Sequence, residues 1–419
     1  MALLYHEFQE SEGNRIMKPL RIGLIGASGR AVLAKHWHRP DTGESLVVAA
    51  ADCAPKALGD FKKWAMPGAF VTDDYRKLLA RPDLDAIGVF SPDYVHEEHA
   101  VAALQAGKHV YLEKPMAISI ASCDRILKAW RKCGTRLMMG FNMRYMPIVA
   151  RAKQLVESGA IGELKAIWVR HFVGAGGDFY YHDWHASRTN TLSLLLQKAT
   201  HDFDVIHWLG GAYAKRVAAF GSLDYFGGDK ENTLTCPTCP EATVCPETQD
   251  PTSPRQQCVF RQEVDVEDNH VVILELANGI KASYMQCHFT PEYLRDYVLI
   301  GTKGRLEMEV EHLKLWTISR PDGHAWEKPP VRTDYPIVSN NGCHGGGDPL
   351  IAQAFLDAVL HGIEPISDPL AGRMSVAVGC QASRSLRDGG VRHIPGVSEP
   401  RTAVRPATDR RAATPAGIS

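Results

Sequence analysis

The sequence predicts an α/β protein, in which an N-terminal doubly wound parallel sheet of the Rossmann type precedes a C-terminal α+β domain with an open, mainly antiparallel sheet. Two observations support this fold class. Before about residue 142, short apolar runs alternate with segments of helical periodicity, whereas later strand-like runs follow one another directly. The chain has 419 residues, a length for which about two domains are expected.

The apolar runs of the first half have the length of buried strands. They are LRIGLIG (20–26), VVAAAD (47–52), DAIGVFS (85–91), HVYLE (109–113) and RLMMGFN (136–142). Helices are predicted between them at 73–81, 96–107 and 120–134, with Gly107 and Gly134 at the positions of helix C-caps. Strands that alternate with helices in this way are typical of a parallel sheet.

The second half predicts consecutive strands, beginning with KAIWVRHFVG (165–174) and KRVAAFGSLDYF (215–226). Residues 270–287 predict a hairpin, in which Asn278-Gly279 suits a type I′ turn. A second strand pair is predicted at 293–310, around a turn that contains glycine. Helices predicted at 147–159 and 348–362 are expected to cover one face of this sheet.

These patterns divide the chain into four parts. Residues 1–17 form an N-terminal extension, and residues 18–142 form the parallel-sheet domain. Residues 143–395 form the second domain, with a cysteine-rich insertion at 229–262. Residues 396–419 are rich in Pro, Ala, Thr and Arg, a composition that predicts a disordered tail.

Charge and hydropathy argue against two classes of partner. Lys and Arg total 47, Asp and Glu total 48, and the formal net charge is −1, so we expect neither nucleic acid nor an anionic membrane as a partner. No apolar run approaches the roughly 20 residues of a membrane span. The N-terminus carries acids where a signal peptide carries bases, so we expect a cytoplasmic protein with reduced cysteines.

A glycine-rich loop follows the first predicted strand. Gly26, Ser28 and Ala31 keep the G-x-G-x-x-G/A spacing before a predicted helix, a pattern that binds the pyrophosphate of a dinucleotide. We expect the cofactor to contact the whole loop, namely Gly26, Ala27, Ser28, Gly29 and Arg30. Asp52 ends the second strand, where a carboxylate can bind both ribose hydroxyls and repel a 2′-phosphate, which favours NAD over NADP. The alternative is that Asp52 is only a turn residue.

Later motifs give the chain a family resemblance. They are Ser91-Pro92 followed by His96, then Glu113-Lys114-Pro115, then Asn142-Met143-Arg144, and the turn at 158–162. With the glycine-rich loop, residues 18–395 resemble the Gfo/Idh/MocA family of nicotinamide-dependent oxidoreductases. The resemblance implies that NAD is contacted by Ser91, Pro92, His96, Glu113, Lys114 and Arg144.

The resemblance also implies a site between two domains. Lys114 is expected to point toward both the nicotinamide and the substrate, on a turn fixed by Pro115, which in this family usually follows a cis bond. A simpler alternative makes Lys114 a solvated cation paired with Glu113. The exposed face of the C-terminal sheet commonly serves assembly in this family, which implies a homodimer or a homotetramer.

Oxidation of a secondary alcohol removes a hydride from carbon and a proton from oxygen, so the site needs a base and a positive group. In LLLQKATHDFDVIHWLGG (194–211), read as one helix, the resemblance makes His201 the acid/base. Gln197 replaces the aspartate of many relatives, and Lys198 follows it. We therefore expect Lys114, Lys198, Gln197 and His201 at the reacting hydroxyl. The alternative for His201 is a packed core residue.

The segment 176–191 is rich in aromatic and hydrogen-bonding side chains, which suit the apolar faces and hydroxyl edges of a carbohydrate. The candidate substrate contacts are Tyr181, His182, Trp184, His185 and Arg188. The alternative is an ordered surface loop.

Four clustered cysteines have the spacing C-x2-C-x5-C-x12-C. They are Cys236, Cys239, Cys245 and Cys258, and together they could hold a structural zinc ion. An iron–sulfur cluster is less compatible with this spacing. The same cysteines could instead remain free thiols or form a redox-dependent disulfide.

Three functions remain open from the sequence. The first is an NAD-dependent dehydrogenase acting on a sugar, polyol or sugar derivative. The second is an NAD-dependent glycoside hydrolase of the same family, which uses transient ring oxidation, elimination, hydration and re-reduction. The third is a non-catalytic regulator that responds to NAD.

Overall fold

The computed structural model describes residues 18–174, 177–321, 328–338 and 344–397, and the side chains of residues 177 and 178 are not described. The predicted N-terminal extension and residues 398–419 of the predicted tail lie outside these ranges. Within them, no helix is both long and apolar enough to cross a membrane.

The first sheet has six parallel strands. Their bounds are β1 Leu20–Ile25, β2 Ser45–Ala51, β3 Phe70–Thr72, β4 Ala86–Val89, β5 His109–Leu112 and β6 Leu137–Met139. The spatial order is β3-β2-β1-β4-β5-β6, so the chain winds outward in both directions from β1 and β4. The predicted Rossmann topology is confirmed. The short β3 was not predicted, since its three residues give too little pattern.

Helices cover both faces of this sheet. Those of the first half are α1 Pro55–Lys62, α2 Tyr75–Leu79, α3 His96–Gln105 and α4 Ile120–Cys133. The segment after the glycine-rich loop, Gly29–Trp37, is a 3-10 helix rather than the predicted α-helix. It has no side-chain cap and low apolar periodicity, so little favours the regular α form.

The second sheet has nine strands and is mainly antiparallel. Its members are β7 Leu164–Phe172, β8 Ala214–Ser222, β9 Asn269–Leu276, β10 Lys281–Cys287, β11 Leu294–Gly301, β12 Gly304–Glu309, β13 Lys314–Ser319, β14 Val331–Tyr335 and β15 Arg392–His393. The order is β14-β13-β12-β11-β7-β10-β9-β8-β15. Only the neighbours β7 and β10 run parallel, so the predicted open, mainly antiparallel sheet is confirmed.

The predicted hairpin of β9 and β10 is present, but its turn is not type I′. Gly279 has φ +87°, whereas Asn278 lacks the positive φ that a type I′ turn requires. The amide of Leu276 donates to the carbonyl of Ile280 at 2.8 Å and closes a three-residue loop. The Asn278 amide group donates to the carbonyl of Gly210 at 2.8 Å, which holds its side chain against a helix end.

The helices of the second half are α5 Pro147–Glu157, α6 Arg188–Thr191, α7 Leu194–Gln197, α8 Thr200–Gly210, α9 Gly347–Leu360 and α10 Pro369–Asp388. Helices α5, α8 and α10 share one large core with the inner face of the second sheet. Helix α10 was not predicted, because its Ala, Gly and Ser residues carry little apolar signal although most are buried.

Helix α9 corrects one prediction. It was expected on the second sheet, but Ile351, Phe355 and Leu356 pack in the core of the first sheet with Trp37 and Tyr111. The indole N–H of Trp37 donates to the carbonyl of Ala352 at 3.1 Å. A late segment of the chain therefore completes the first domain.

Candidate active site

Lys114 lies where the two domains meet. It follows β5 and precedes Pro115, and the peptide bond between them is cis, as the resemblance implied. Its ammonium Nζ donates to the backbone carbonyl of Gln197 at 3.0 Å. That carbonyl is available because the predicted helix 194–211 is broken into α7 and α8, with the interruption at Lys198 and Ala199.

The glycine-rich loop has the geometry that a dinucleotide needs. Gly26 has φ +85°, and a Cβ there would lie 2.7 Å from the backbone carbon of Phe90 after β4. Gly29 has φ +55°, and its Cβ would meet nothing within 4 Å. A non-glycine residue at either position would be strained. The backbone is thus held in a tight turn with open space beside it, which suits a bound pyrophosphate.

Asp52 lies beside this loop, as predicted. Its carboxylate accepts hydrogen bonds from the amide of Ala27 at 2.7 Å and from the amide of Ala54 at 2.8 Å. Part of its side chain remains accessible. The carboxylate therefore orients the loop, and it stands at the strand end where ribose hydroxyls bind in this fold.

His96 joins the loop of Ser91 and Pro92 to the turn of Lys114. It is 1 % exposed, and its Nε2 lies 2.8 Å from the carbonyl of Ser91 while its Nδ1 lies 2.7 Å from the carbonyl of Pro115. Burial lowers the pKa of His96. His96 therefore holds two backbone segments together, and both of its ring nitrogens face carbonyl oxygens.

Arg30 forms an ionic cluster with residues far away in the sequence. Its guanidinium donates to Asp348 of α9 at 2.9 and 3.1 Å and to Glu113 at 3.2 Å. Asn142 donates to the same Asp348 carboxylate at 2.9 Å. Burial opposes the charge of Arg30, but both carboxylates outweigh it and raise its pKa. The ion pair therefore holds the side chains of Glu113 and Arg30 in place, and with them the end of the glycine-rich loop.

Arg144 corrects a predicted cofactor contact. Its guanidinium donates to Asp204 of α8 at 2.7 and 2.8 Å and also to the carbonyl of Ile366. It is 5 % exposed. These partners, which lie in the second domain like Arg144 itself, occupy its donors inside the protein.

Asp93 is the main functional candidate that the sequence reasoning missed. It is 5 % exposed, and its Oδ2 has no hydrogen-bond partner among the described residues. The side chain of Gln197 forms a hydrogen bond with it. Burial raises the pKa of Asp93 to about 7, against the opposing effect of the Lys114 charge. The available signal was an acid directly after Ser91-Pro92, at the carboxyl end of a buried strand.

The electrostatics of Lys114 differ from those of an exposed lysine. Burial lowers its pKa to about 8, and the charges of Lys198 and Arg30 act in the same direction. Asp93 and Glu113 oppose the shift. A lysine with a pKa this low exchanges its proton near physiological pH, which suits acid–base chemistry.

His201 begins α8, close to the same lysine. Burial lowers its pKa well below the ordinary value, and Lys114 is the largest charge contribution in that direction. Its Nδ1 has no hydrogen-bond partner in the ranges that the structure describes. Gln197 also has an unpartnered oxygen, Oε1, and is 6 % exposed. Unpartnered buried polar atoms are rare in folded proteins. Here two of them belong to residues that interact with Lys114, namely Gln197 through its backbone and His201 through its charge environment.

The predicted substrate segment divides into two groups. Trp184 and His185 stack at 3.7 Å between ring centroids, and Tyr94 of the first domain meets Trp184 edge-on at 5.7 Å. Lys114 contributes to a lowered pKa of about 3 for His185, after the larger effect of burial. These residues therefore remain candidate substrate contacts.

Tyr181, His182 and Arg188 are placed elsewhere, which corrects their predicted role. Tyr181 is buried, stacks on Phe226 at 4.0 Å and donates to the carbonyl of Glu267. His182 contacts the carbonyl of Gln257, and Arg188 pairs with Glu267 at 2.8 Å. His182 thus contacts the cysteine-rich insertion, whereas Tyr181 and Arg188 are held by Glu267 just after it.

A buried polar network is centred on Asp202, the residue after His201. Asp202 contacts His171 at 3.1 Å, Tyr284 at 3.2 Å, Tyr297 more closely, and the guanidinium of Arg295 at 3.4 Å. Arg295, His171 and Tyr297 hold the pKa of Asp202 below its ordinary value, although burial acts against them. Sequence reasoning missed this network because its members come from three strands and one helix.

The four clustered cysteines are free thiols in the structure. Thr235 pairs with Gln257 in an antiparallel bridge, which brings the Cys236–Cys239 turn next to Cys258. Within the described residues, however, no three or more His, Cys, Asp or Glu side chains form a group that could hold a metal ion.

Comparison with known proteins gives the family of the chain. Residues 20–141 match the model of an oxidoreductase family with an NAD-binding Rossmann fold, and residues 149–307 match the GFO/IDH/MocA C-terminal domain. YteT of Bacillus subtilis, which is named as an oxidoreductase, is 27% identical over 389 residues, covering 80% of this chain and 88% of YteT.

Levoglucosan dehydrogenase of Pseudarthrobacter phenanthrenivorans is 27% identical over 325 residues, covering 70% of this chain and 75% of that protein. A solved structure of levoglucosan dehydrogenase in complex with NADH and L-sorbose superposes with a TM-score of 0.72. It is 21% identical and covers 90% of this chain and all of that chain, which shows a common fold. Because both family models match successive parts of the chain, the protein belongs to the Gfo/Idh/MocA family of oxidoreductases.

Proposed function

We propose that the protein is an NAD-dependent dehydrogenase that oxidises a secondary hydroxyl of a sugar, polyol or sugar derivative. The observation that carries the proposal is the position of Lys114, whose half-buried ammonium reaches from the first domain to the helix break before His201. The unpartnered polar atoms of Gln197 and His201 at the same place support a polar substrate. A relative named levoglucosan dehydrogenase supports a carbohydrate.

The cofactor fits the residues present. The glycine-rich loop of Gly26–Arg30 would hold the pyrophosphate, and Asp52 would accept hydrogen bonds from the ribose hydroxyls. The carboxylate of Asp52 would repel a 2′-phosphate, which supports NAD over NADP. Ser91 and Pro92 would line the path toward the nicotinamide. When bound, NAD supplies the hydride acceptor.

The chain's own groups supply the proton chemistry. Neutral Lys114, with a pKa of about 8, takes the proton from the hydroxyl, and the resulting ammonium stays beside Asp93. His201 is neutral at physiological pH and orients the hydroxyl with its free Nδ1. Lys198 adds a second positive charge close enough to act on Lys114. Gln197 orients Asp93 and the substrate.

The second candidate function is an NAD-dependent glycoside hydrolase. The amounts of NADH and aglycone formed per substrate distinguish it from the dehydrogenase. A panel of free sugars, polyols and aryl glycosides is incubated with NAD, and NADH and aglycone are followed together. The dehydrogenase gives one NADH for each substrate consumed and releases no aglycone. Aglycone release without net NADH would establish the hydrolase instead.

The cysteine-rich insertion is proposed to bind zinc through Cys236, Cys239, Cys245 and Cys258. The support is the short turn of Cys236–Thr238 beside the strand-like pairing that carries Cys258. Since the thiols are not arranged as a metal group in the structure, binding requires their side chains to turn inward. Elemental analysis of the purified protein tests this, with one zinc per chain expected and less than about one tenth of that after Cys236→Ser and Cys239→Ser.

The outer face of the second sheet is proposed to form a homodimer or homotetramer. Trp168, Phe220 and Ile273 lie there, and Phe220 and Ile273 are 78% and 56% exposed. An apolar sheet face of this kind is typical of an interface. The cytoplasm is the proposed compartment, where all nine described cysteines would remain reduced.

A further inference from the structure

Lys198 is a cation without a carboxylate partner in the described part of the chain. Its Nζ lies 5.5 Å from the ring centroid of Tyr180 and 5.4 Å from that of Tyr293. Its only hydrogen-bond partner there is the side chain of Tyr180. The neighbouring cation Arg295, in contrast, is already paired with Asp202 at 3.4 Å. Lys198 therefore retains a charge that nothing in these ranges neutralises.

Polar atoms without partners lie around the same aromatic ring. Tyr180 contacts His185 at 5.5 Å and His288 at 5.3 Å between ring centroids. His185 is 5 % exposed and His288 is fully buried, yet within the described part of the chain Nδ1 of each has no hydrogen-bond partner. Each histidine has a pKa lowered first by burial and partly by Lys198, so both rings are neutral and each can still donate one hydrogen bond.

We propose that Lys198 binds a carboxylate of the substrate, so that the preferred substrate is an acidic sugar such as a uronic or aldonic acid. This inference rests on the proposed dehydrogenase function and names the substrate class of the same site. An ammonium over two tyrosine rings, with neutral imidazoles nearby, offers one positive charge and several uncharged donors. That combination suits a monoanion attached to a ring with apolar faces.

A phosphate ester fits less well. It carries up to two negative charges and is usually held by several cations or by arginine forks. The guanidinium of Arg295 is committed to Asp202, and Lys114 is required for the reacting hydroxyl. Lys198 alone therefore matches a single carboxylate better than a phosphate.

The test compares matched pairs of sugars with the full-length protein and NAD. D-Glucuronate, D-galacturonate and D-gluconate are measured beside D-glucose and D-galactose, and sugar phosphates are included. For the wild type we expect kcat/KM for the best acid to exceed that for its neutral counterpart by about 10- to 100-fold, the effect of one charged hydrogen bond. In Lys198→Met the ratio should collapse toward one.

The control is Lys165→Met, which removes an exposed lysine paired with Glu163 on β7 and should keep the preference. Lys198→Arg, which keeps the charge, should recover part of it and serves if the Met variant does not fold. A neutral sugar or a sugar phosphate used as well as the acid, or an unchanged ratio in Lys198→Met, would overturn the inference while leaving the dehydrogenase intact.

If no sugar yields NADH, the proposed dehydrogenase function fails. Binding of sugar acids then tests whether Lys198 holds a carboxylate. D-Galacturonate and D-glucuronate are titrated into the NAD-loaded protein by calorimetry beside D-galactose and D-glucose. Tighter binding of an acid by the wild type but not by Lys198→Met supports the carboxylate subsite. Equal binding, or none, overturns it.

Discussion

Lys114 and Gln197 join the two domains through one hydrogen bond, from the ammonium Nζ to a backbone carbonyl at 3.0 Å. The charges that end the buried strand β5 are explained by this contact. Glu113 is held by Arg30, which leaves Lys114 free to face the second domain. The break between α7 and α8 supplies the acceptor, so the position of Lys114 depends on both domains being in place.

The pH dependence of oxidation should report the titration of Lys114. Its pKa is lowered to about 8 by burial, with help from Lys198 and Arg30. If neutral Lys114 is the base, kcat/KM should rise about tenfold per pH unit below pH 8 and then level off. Because Asp93 favours the ammonium, Asp93→Asn should move this rise to lower pH. A profile that is flat from pH 6.5 to 9 would exclude Lys114 as the base.

Asp52 should set the preference between the two dinucleotides. In Asp52→Ser, the loss of the carboxylate should weaken NAD binding by about tenfold and allow NADP to bind, since repulsion of the 2′-phosphate disappears. Dissociation constants are measured by quenching of tryptophan fluorescence. Asp41→Asn, an exposed change in the same domain, should alter neither constant. An unchanged NAD/NADP ratio in Asp52→Ser would contradict the predicted role.

Asp348 should stabilise the first domain through its pairing with Arg30. Asp348→Asn should lower the free energy of unfolding by about 2–4 kcal/mol, as expected when one partner of a buried ion pair is removed. The folded pKa of Asp348 lies below its ordinary value because His344 and Arg30 outweigh burial. Its contribution is therefore present above about pH 4 and is lost as the pH falls further.

The measurement for Asp348 is urea unfolding at pH 7 and at pH 3.5. The difference between wild type and Asp348→Asn should narrow at the lower pH. Asp334→Asn breaks an exposed pair with Arg332 and should leave the free energy of unfolding almost unchanged, because exposed ion pairs contribute little. If the two substitutions changed the free energy of unfolding equally, the pair of Arg30 and Asp348 would stabilise the protein no more than an exposed ion pair does.

The exposed face of the second sheet should control assembly. Ile273→Asp places a charge in the middle of the proposed interface and should convert the oligomer to monomers in light scattering. Val244→Asp, which is 80% exposed in the cysteine-rich insertion, should leave the mass unchanged. If the wild-type protein is already monomeric, the proposed interface on the second sheet is wrong.

Local patterns predicted much of the fold. The apolar runs at 20–26 and 109–113 are strands β1 and β5, and the spacing around Gly26 located the tight turn, because these features depend on neighbouring residues. The prediction that α9 packs on the second sheet was wrong, since the sequence of an apolar helix does not specify which of two sheets it covers. The break in 194–211 was also missed, because Lys198 and Ala199 are good helix formers and only tertiary contacts explain the interruption.

Prediction of the site residues likewise depended on whether a local sequence pattern or a distant contact defines them. The glycine-rich loop was recognised by the spacing of its own residues, and Lys114 by the resemblance of Glu113-Lys114-Pro115 to a family motif. Arg144 was assigned wrongly because its partner Asp204 lies 60 residues away. Asp93 was missed because its meaning comes from burial against Lys114 and Gln197, which no local pattern encodes.

The most direct test of the central claim is turnover by Lys114→Met with its best sugar substrate. The account predicts that kcat falls by about 10²- to 10⁴-fold, the usual contribution of a proton-transferring group, while the dissociation constant for NAD changes by less than about threefold. Lys165→Met, on the exposed side of the second sheet, should keep full activity. Turnover within about threefold of the wild type in Lys114→Met would contradict the account.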